Sequence, residues 1–206
     1  ARFDVEPRRP PDAWFADAAR AGLTSELEKT ALIMGLALLE DLPEDMYIAC
    51  NLSATALLDP AVRTVLDDFE LSRVVIELTE HDIVADYEAL IKIIDELRSR
   101  GLRIAIDDFG AGYACFRHIL FLRPDLIKLD MSLVQDIDTQ ETKRSLLEAM
   151  IGFANASRQT LVAEGVERPS ELRTLSNMGV DLAQGYLLHK PMAGADVLGL
   201  CHRRQP

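Results

Sequence analysis

The chain is short of cysteine, of aromatic side chains and of long apolar runs, and each shortage excludes something. Three cysteines in 206 residues, Cys50, Cys115 and Cys201, stand too far apart for a metal knuckle. An odd, scattered set argues for free thiols in a reducing compartment, the cytoplasm. No tract is long and uncharged enough to span a bilayer, and nothing at the start reads as a secretory signal. Positive charge is scarce too: 22 Lys and Arg stand against 34 Asp and Glu, a formal net charge of −12. That balance argues against a nucleic-acid polymer as partner. An acidic chain that accepts an anionic ligand needs metal ions or a few placed cations to offset its own field. What is plentiful is aliphatic: 49% of residues are hydrophobic and 6% aromatic. The length suits one domain with a real core and is too short for two comfortable ones.

The apolar residues fall into two alternating patterns. Short β-branched runs read as strands: Met46–Asn51, Arg73–Glu80, Leu102–Asp107, Asp125–Asp130, Thr160–Glu164 and Asp181–Gln184. Between them lie helical stretches. Ser25 and Glu28 have capping-box spacing ahead of a helix running to about Leu39. Asp59 reads as the N-cap of a helix that opens at Pro60. Asp86–Arg100 presents Leu90, Ile93, Ile94 and Leu97 on one face, and Gly101 stops it. Gln140–Ser157 presents Leu146, Leu147, Met150, Ile151 and Phe153. Trp14 reads as core packing. Strand–helix alternation implies a parallel sheet covered by helices. An open doubly wound sheet and a closed eight-stranded barrel both fit; the barrel would have its first one or two strands ahead of Ala1.

The informative feature is what ends each strand. In order these residues are Asn51, Glu77 with Glu80, Asp107 with Asp108, Lys128, Glu164 with Glu167, and Gln184. In parallel α/β folds the carboxyl ends converge on one face, and in a barrel they ring a shared mouth. Side chains alternate along a strand, so the adjacent Asp107 and Asp108 belong where the chain leaves the core. Two neighbouring carboxylates repel unless a cation sits beside them. Carboxylates with an amide oxygen are hard donors, suited to Mg²⁺ or Mn²⁺ rather than zinc or copper. There are enough oxygens for two ions, and two such ions clamp an in-line displacement at phosphorus. Lys128 in that ring could orient or deprotonate water, or stabilise charge on a phosphate.

These residues resemble a known family. Asn51-Leu-Ser-Ala, Glu77-Leu-Thr-Glu80, Asp107-Asp-Phe-Gly-Ala-Gly-Tyr113, Leu126-Ile-Lys-Leu-Asp130, Val162-Ala-Glu-Gly-Val-Glu167 and Gln184-Gly-Tyr are similar, in order and spacing, to the EAL domain of bacterial cyclic-di-GMP phosphodiesterases. The resemblance covers nearly the whole chain as one domain, residues 1–206. It implies an α/β, TIM-like (β/α)8 barrel that hydrolyses cyclic di-GMP to linear pGpG with two Mg²⁺ or Mn²⁺ ions. By position, Asn51, Glu77 and Asp107 would bind the first metal, and Asp107, Asp108 and Glu164 the second. Lys128 would hold the catalytic water. Gln184 would support water or substrate, Arg2 would contact a phosphate, and Pro191 would line a guanine pocket. Glu80 would hold the loop after Asp108, and Glu167 would stand behind the ligands. A homodimer and an upstream sensory or GGDEF domain are further implications.

One departure matters. The Glu of the family's naming Glu-Ala-Leu motif would lie three positions before Ala1. A chain without that ligand would be a fragment, or a weak or inactive domain that senses cyclic di-GMP without cleaving it. The literal Glu88-Ala89-Leu90 lies inside a helix and is expected to stay away from metal. His81 and His118 are expected to pack or face solvent, and His189, beside Lys190-Pro191, is the histidine nearest the expected mouth. A barrel enzyme using Mg²⁺ and a lysine on a carboxylic acid is a more distant alternative, poorly served by the Asp-Asp pair.

Overall fold

The computed structural model describes residues 9–79, 84–110 and 115–203. Among these described residues six strands form one sheet in chain order, each parallel to the next: β1 (Ile48–Asn51), β2 (Val74–Thr79), β3 (Arg103–Phe109), β4 (Leu126–Leu129), β5 (Thr160–Ala163) and β6 (Leu182–Ala183). Ahead of β1 lie α1 (Pro11–Ala21) and α2 (Thr24–Leu36). The crossovers carry α3 (Ala54–Leu58) and α4 (Pro60–Asp67), α5 (Tyr87–Ser99), α6 (Cys115–Leu122), α7 (Met131–Val134) and α8 (Glu141–Ser157), and α9 (Pro169–Met178). The helix α10 (Gly194–Arg203) follows β6. Sequential parallel order with helical crossovers is the pattern of a TIM-like barrel, and the sheet curls as a barrel wall does.

Strand periodicity divides the core in two. One set of positions, including Ile76, Leu78, Ile104, Ile106, Ile127, Leu129, Leu161 and Ala163, packs outward under the helices with Leu90, Ile94 and Leu97 of α5. The other set, Val75, Ala105, Leu126 and Val162, forms a separate small apolar cluster on the inner face. Two residues further along the same four strands come Glu77, Asp107, Lys128 and Glu164. Because side chains alternate with period two, each of these polar groups stands directly above one residue of that apolar floor.

The local signals mostly hold. Asp59 caps α4 by accepting from the Ala61 amide, Asp86 caps α5 through the Ala89 amide, and Gly22 and Gly179 end α1 and α9 in left-handed conformations. Trp14 is half-buried under the Arg9 guanidinium, 5.1 Å from its ring centroid.

Two local expectations need correction. Ser25 and Glu28 make no capping box: α2 starts at Thr24 without a side-chain cap, and Glu28 is buried and binds Ser53 instead. The apolar face of α8 is narrower than its composition suggests. Leu147, Met150 and Ala154 are buried, whereas Leu146 and Phe153 are exposed. The short helices α3 and α7 are too brief for periodicity to register.

Candidate active site

Neighbouring strands lie about 4.8 Å apart, so in a flat sheet β2 and β5 would be separated by about 14 Å. Yet one ammonium group touches carboxylates from both. Lys128 Nζ on β4 lies 2.9 Å from Glu77 Oε2 on β2, 2.7 Å from Asp107 Oδ1 on β3 and 2.7 Å from Glu164 Oε1 just past β5. The curl of the sheet makes this possible. The cluster extends to both outer strands: Asn51 Nδ2 donates to Asp107 Oδ2 at 3.1 Å, and Gln184 Nε2 donates to Glu164 Oε1 at 2.6 Å. All six strands thus feed one connected polar chain.

Asp108 joins it through an unusual backbone. Its φ is +56°, in the left-handed region that Asp tolerates better than most residues. The pairing of β3 with β4 shifts register between Ile106 and Phe109. Strict alternation would turn Asp108 away from Asp107. Instead, carboxylate oxygens of Asp107, Asp108 and Glu164 all lie within 4.8 Å of one another. The strand also runs on to Phe109, so the paired aspartates sit in it rather than where it ends. Two glycines hold the chain tight beneath. A Cβ at Gly165, after Glu164, would come within 2.5 Å of Met131 Cβ, and one at Gly185, after Gln184, within 2.2 Å of the Val166 carbonyl oxygen.

The electrostatics are those of buried like charges. Glu77, Asp107 and Lys128 are each at most 8% exposed. Burial pushes the Glu164 carboxyl up to about 7 and raises Glu77, in each case against the pull of Lys128. For Lys128, burial works against the charge, but Glu77, Asp107 and Glu164 outweigh it and hold the ammonium above the usual lysine range. At neutral pH it therefore stays an ammonium, able to donate hydrogen bonds but not to take up a proton.

Other expected residues fall elsewhere. Glu167 is exposed, and its main-chain N–H donates to Glu171. Pro191 and His189 are exposed in the segment after β6. His118 is buried and hydrogen-bonded through Nδ1 to the Tyr87 hydroxyl at 2.9 Å, in line with a packing role. Glu88 is exposed on the first turn of α5, and Leu90 belongs to the outer core. Arg2, Glu80 and His81 lie outside the described residues. The bond from Ser53 to Glu28 was not foreseen: the partner is 25 residues away, and the local pattern pointed to a helix cap instead.

Fold and site together define a parallel α/β barrel protein with an acidic, lysine-centred rim at the carboxyl ends of its strands. The chain belongs to the EAL domain family, whose model matches residues 2–191. It is 31% identical over 192 residues to the cyclic di-GMP phosphodiesterase PdeR of Escherichia coli (strain K12), covering 89% of this chain and 29% of that protein. Among solved structures it is similar to a manganese/cy-diGMP complex of Klebsiella pneumoniae BlrP1, with a TM-score of 0.77 and 32% identity over 86% of this chain and 47% of that one. It is also similar to a standalone EAL protein from Vibrio cholerae O395 in its c-di-GMP bound form, with a TM-score of 0.77 and 25% identity over 87% of this chain and 80% of that one. The chain thus spans under a third of PdeR's length.

Proposed function

We propose that this domain hydrolyses cyclic di-GMP to linear pGpG with two divalent cations, Mg²⁺ or Mn²⁺, held at the rim. The observation that carries the reading is the meeting of Glu77, Asp107 and Glu164, from three strands, on the single ammonium of Lys128. The donor set fits hard cations. Its carboxylates carry more negative charge than one lysine neutralises, and oxygens of Asp107, Asp108 and Glu164 lie within 4.8 Å of one another, close enough to share one ion. Asn51, Glu77 and Asp107 would hold one ion, and Asp107, Asp108 and Glu164 the other. To serve as a ligand, Asn51 would present its carboxamide oxygen in place of the Nδ2 that now donates to Asp107. When bound, the ions supply the positive charge that activates water and receives the phosphate.

The chain's own groups do the rest. Lys128 donates a hydrogen bond that orients the attacking water, and its charge offsets that gathering on the phosphate. The water oxygen bonds to phosphorus, the bond to the ribose 3′ oxygen breaks, and that oxygen takes up a proton. Gln184, bonded to Glu164, stands where it can steady water or substrate. Arg2 is assigned to a phosphate, Pro191 to a guanine, Glu80 to the loop after Asp108 and Glu167 to support of the ligands, all by position in the family pattern. The same pattern supports a homodimer and an upstream sensory or GGDEF domain in a longer polypeptide. No helix among the described residues is long and apolar enough to cross a membrane. Cys50 and Cys201 are free thiols, which suits the reducing cytoplasm.

The test is to incubate the full-length protein with cyclic di-GMP and Mn²⁺ and to resolve the products by chromatography. The expected product is pGpG, absent in Lys128→Ala. Tight binding without product would instead favour a sensor, and turnover in Lys128→Ala within about tenfold of the parent would overturn the assigned roles.

A further inference from the structure

Glu28 is a buried carboxylate that the reaction above does not use. It is 8% exposed, on α2. Its oxygens divide between two groups of one residue: Oε1 accepts the Ser53 main-chain N–H at 3.1 Å, and Oε2 accepts the Ser53 hydroxyl at 2.9 Å. The Ser53 oxygen in turn accepts the Ala56 N–H and caps α3. One residue earlier, the Leu52 N–H donates to the Glu77 carbonyl at 3.1 Å. The two residues after Asn51 are therefore tied on three sides, to α2, to α3 and to β2.

A helix cap needs only the serine. Burying a carboxylate to hold that serine costs several kcal/mol unless its bonds repay it. What the double bond adds is a fixed backbone immediately after Asn51. Asn51 is the last residue of β1, its side chain is short, and its carboxamide reaches Asp107 only if the main chain there is held. We propose that Glu28 is a positioning residue: through Ser53 it fixes the main chain that presents the Asn51 carboxamide to a divalent cation. The inference rests on the reading of Asn51 as a metal ligand.

The experiment is a Mn²⁺ titration by calorimetry on the full-length protein, with melting curves to show that each variant is folded. Residues behind metal ligands typically contribute about 10- to 100-fold in affinity. Glu28→Ala is expected to weaken Mn²⁺ binding by about that factor. Glu28→Gln, whose amide oxygen still accepts from Ser53, should recover part of the loss, and Ser53→Ala should cost a few-fold. Should Glu28→Ala fold poorly, Ser53→Ala carries the test alone. A purely structural role is separated by the double variant: once Asn51 is alanine, Glu28→Ala should add less than about twofold. If Asn51→Ala weakens binding and Glu28→Ala does not, or if the two losses multiply, the positioning role is wrong. If Asn51→Ala has no effect, the ligand reading itself fails and this inference falls with it.

Discussion

Two places in the molecule gather one cation and three carboxylates from distant parts of the chain. At the rim, Lys128 meets Glu77, Asp107 and Glu164. On the outside, Arg168 meets Asp136, Asp138 and Glu171. The formal charges are the same, yet the two clusters differ in what else they touch. Glu171 is 1% exposed, but it accepts the main-chain N–H groups of Asp136, Glu167 and Arg168 and the Arg168 guanidinium. Burial works against its charge, and these donors outweigh burial and lower its pKa. Asp136 and Arg168 remain open to solvent. At the rim, burial dominates, and Glu164 and Glu77 are raised. A cluster whose acids are answered by fixed amides stabilises the fold. One whose acids are buried and only partly answered keeps its attraction for further positive charge. Charge count alone does not distinguish a structural cluster from a binding site; the donors around it do.

The largest break in that comparison is Lys128→Ala. Losing the central donor should lower turnover of cyclic di-GMP at least 10²- to 10³-fold, measured as pGpG formed. The metal-free variant should also melt lower, because it leaves the buried Glu77 and Asp107 and the half-buried Glu164 without their counter-ion. Saturating Mn²⁺ should then raise its Tm by more than it raises that of the parent. Glu171→Ala should do the reverse. It strips acceptors from three main-chain N–H groups and should cost about 3 kcal/mol. That corresponds to a fall in Tm of roughly 6–12 °C. Its kcat, measured well below that Tm, should be unchanged.

The two clusters should also respond to pH with opposite sign. Glu164 titrates near 7 in the folded protein against an ordinary 4.5, so between those values the native state holds more protons than the unfolded one. Stability of the metal-free protein therefore falls as pH rises from 5 to 8, and Glu164→Gln should flatten the fall. Mn²⁺ affinity should climb over the same range, since the ligand must shed its proton. Glu171, lowered from 4.5, contributes its full stability above that value and loses it as pH falls below. Glu171→Gln should remove that acid-side loss only. Melting curves between pH 3 and 8 test both; slopes of one sign at both sites would undo the contrast.

Much of the rim was legible because period-two alternation is a strong constraint. Each donor lies at or near the carboxyl end of an apolar run, so Asn51, Glu77, Asp107, Lys128, Glu164 and Gln184 could be placed on one face from the sequence. Asp108 shows where that reading fails. Alternation sends it away from Asp107, and only a left-handed residue and a register shift return it, neither of which hydrophobic pattern encodes. Glu28 shows a second kind of failure, since a local capping signature and a partner 25 residues away compete for the same carboxylate, and the tertiary contact wins. On α8 the periodicity was correct but the extent was not. Leu146 and Phe153 carry the apolar stripe past the width that the sheet covers.

The smallest expected effect concerns Glu88-Ala89-Leu90, which spells the family's naming motif. Its context is helical: Asp86 caps α5, Glu88 is exposed on the first turn and Leu90 is packed in the outer core. An acid in that position interacts with the helix dipole for about 0.3–1 kcal/mol, and nothing among the described residues ties it to the rim. Glu88→Gln should therefore lower Tm by no more than roughly 4 °C and leave both Mn²⁺ affinity and pGpG formation at parental values. A tenfold loss of either would mean that the motif, not the carboxyl ends of the strands, locates the metal. The separation between outer-face and inner-face chemistry would then fail.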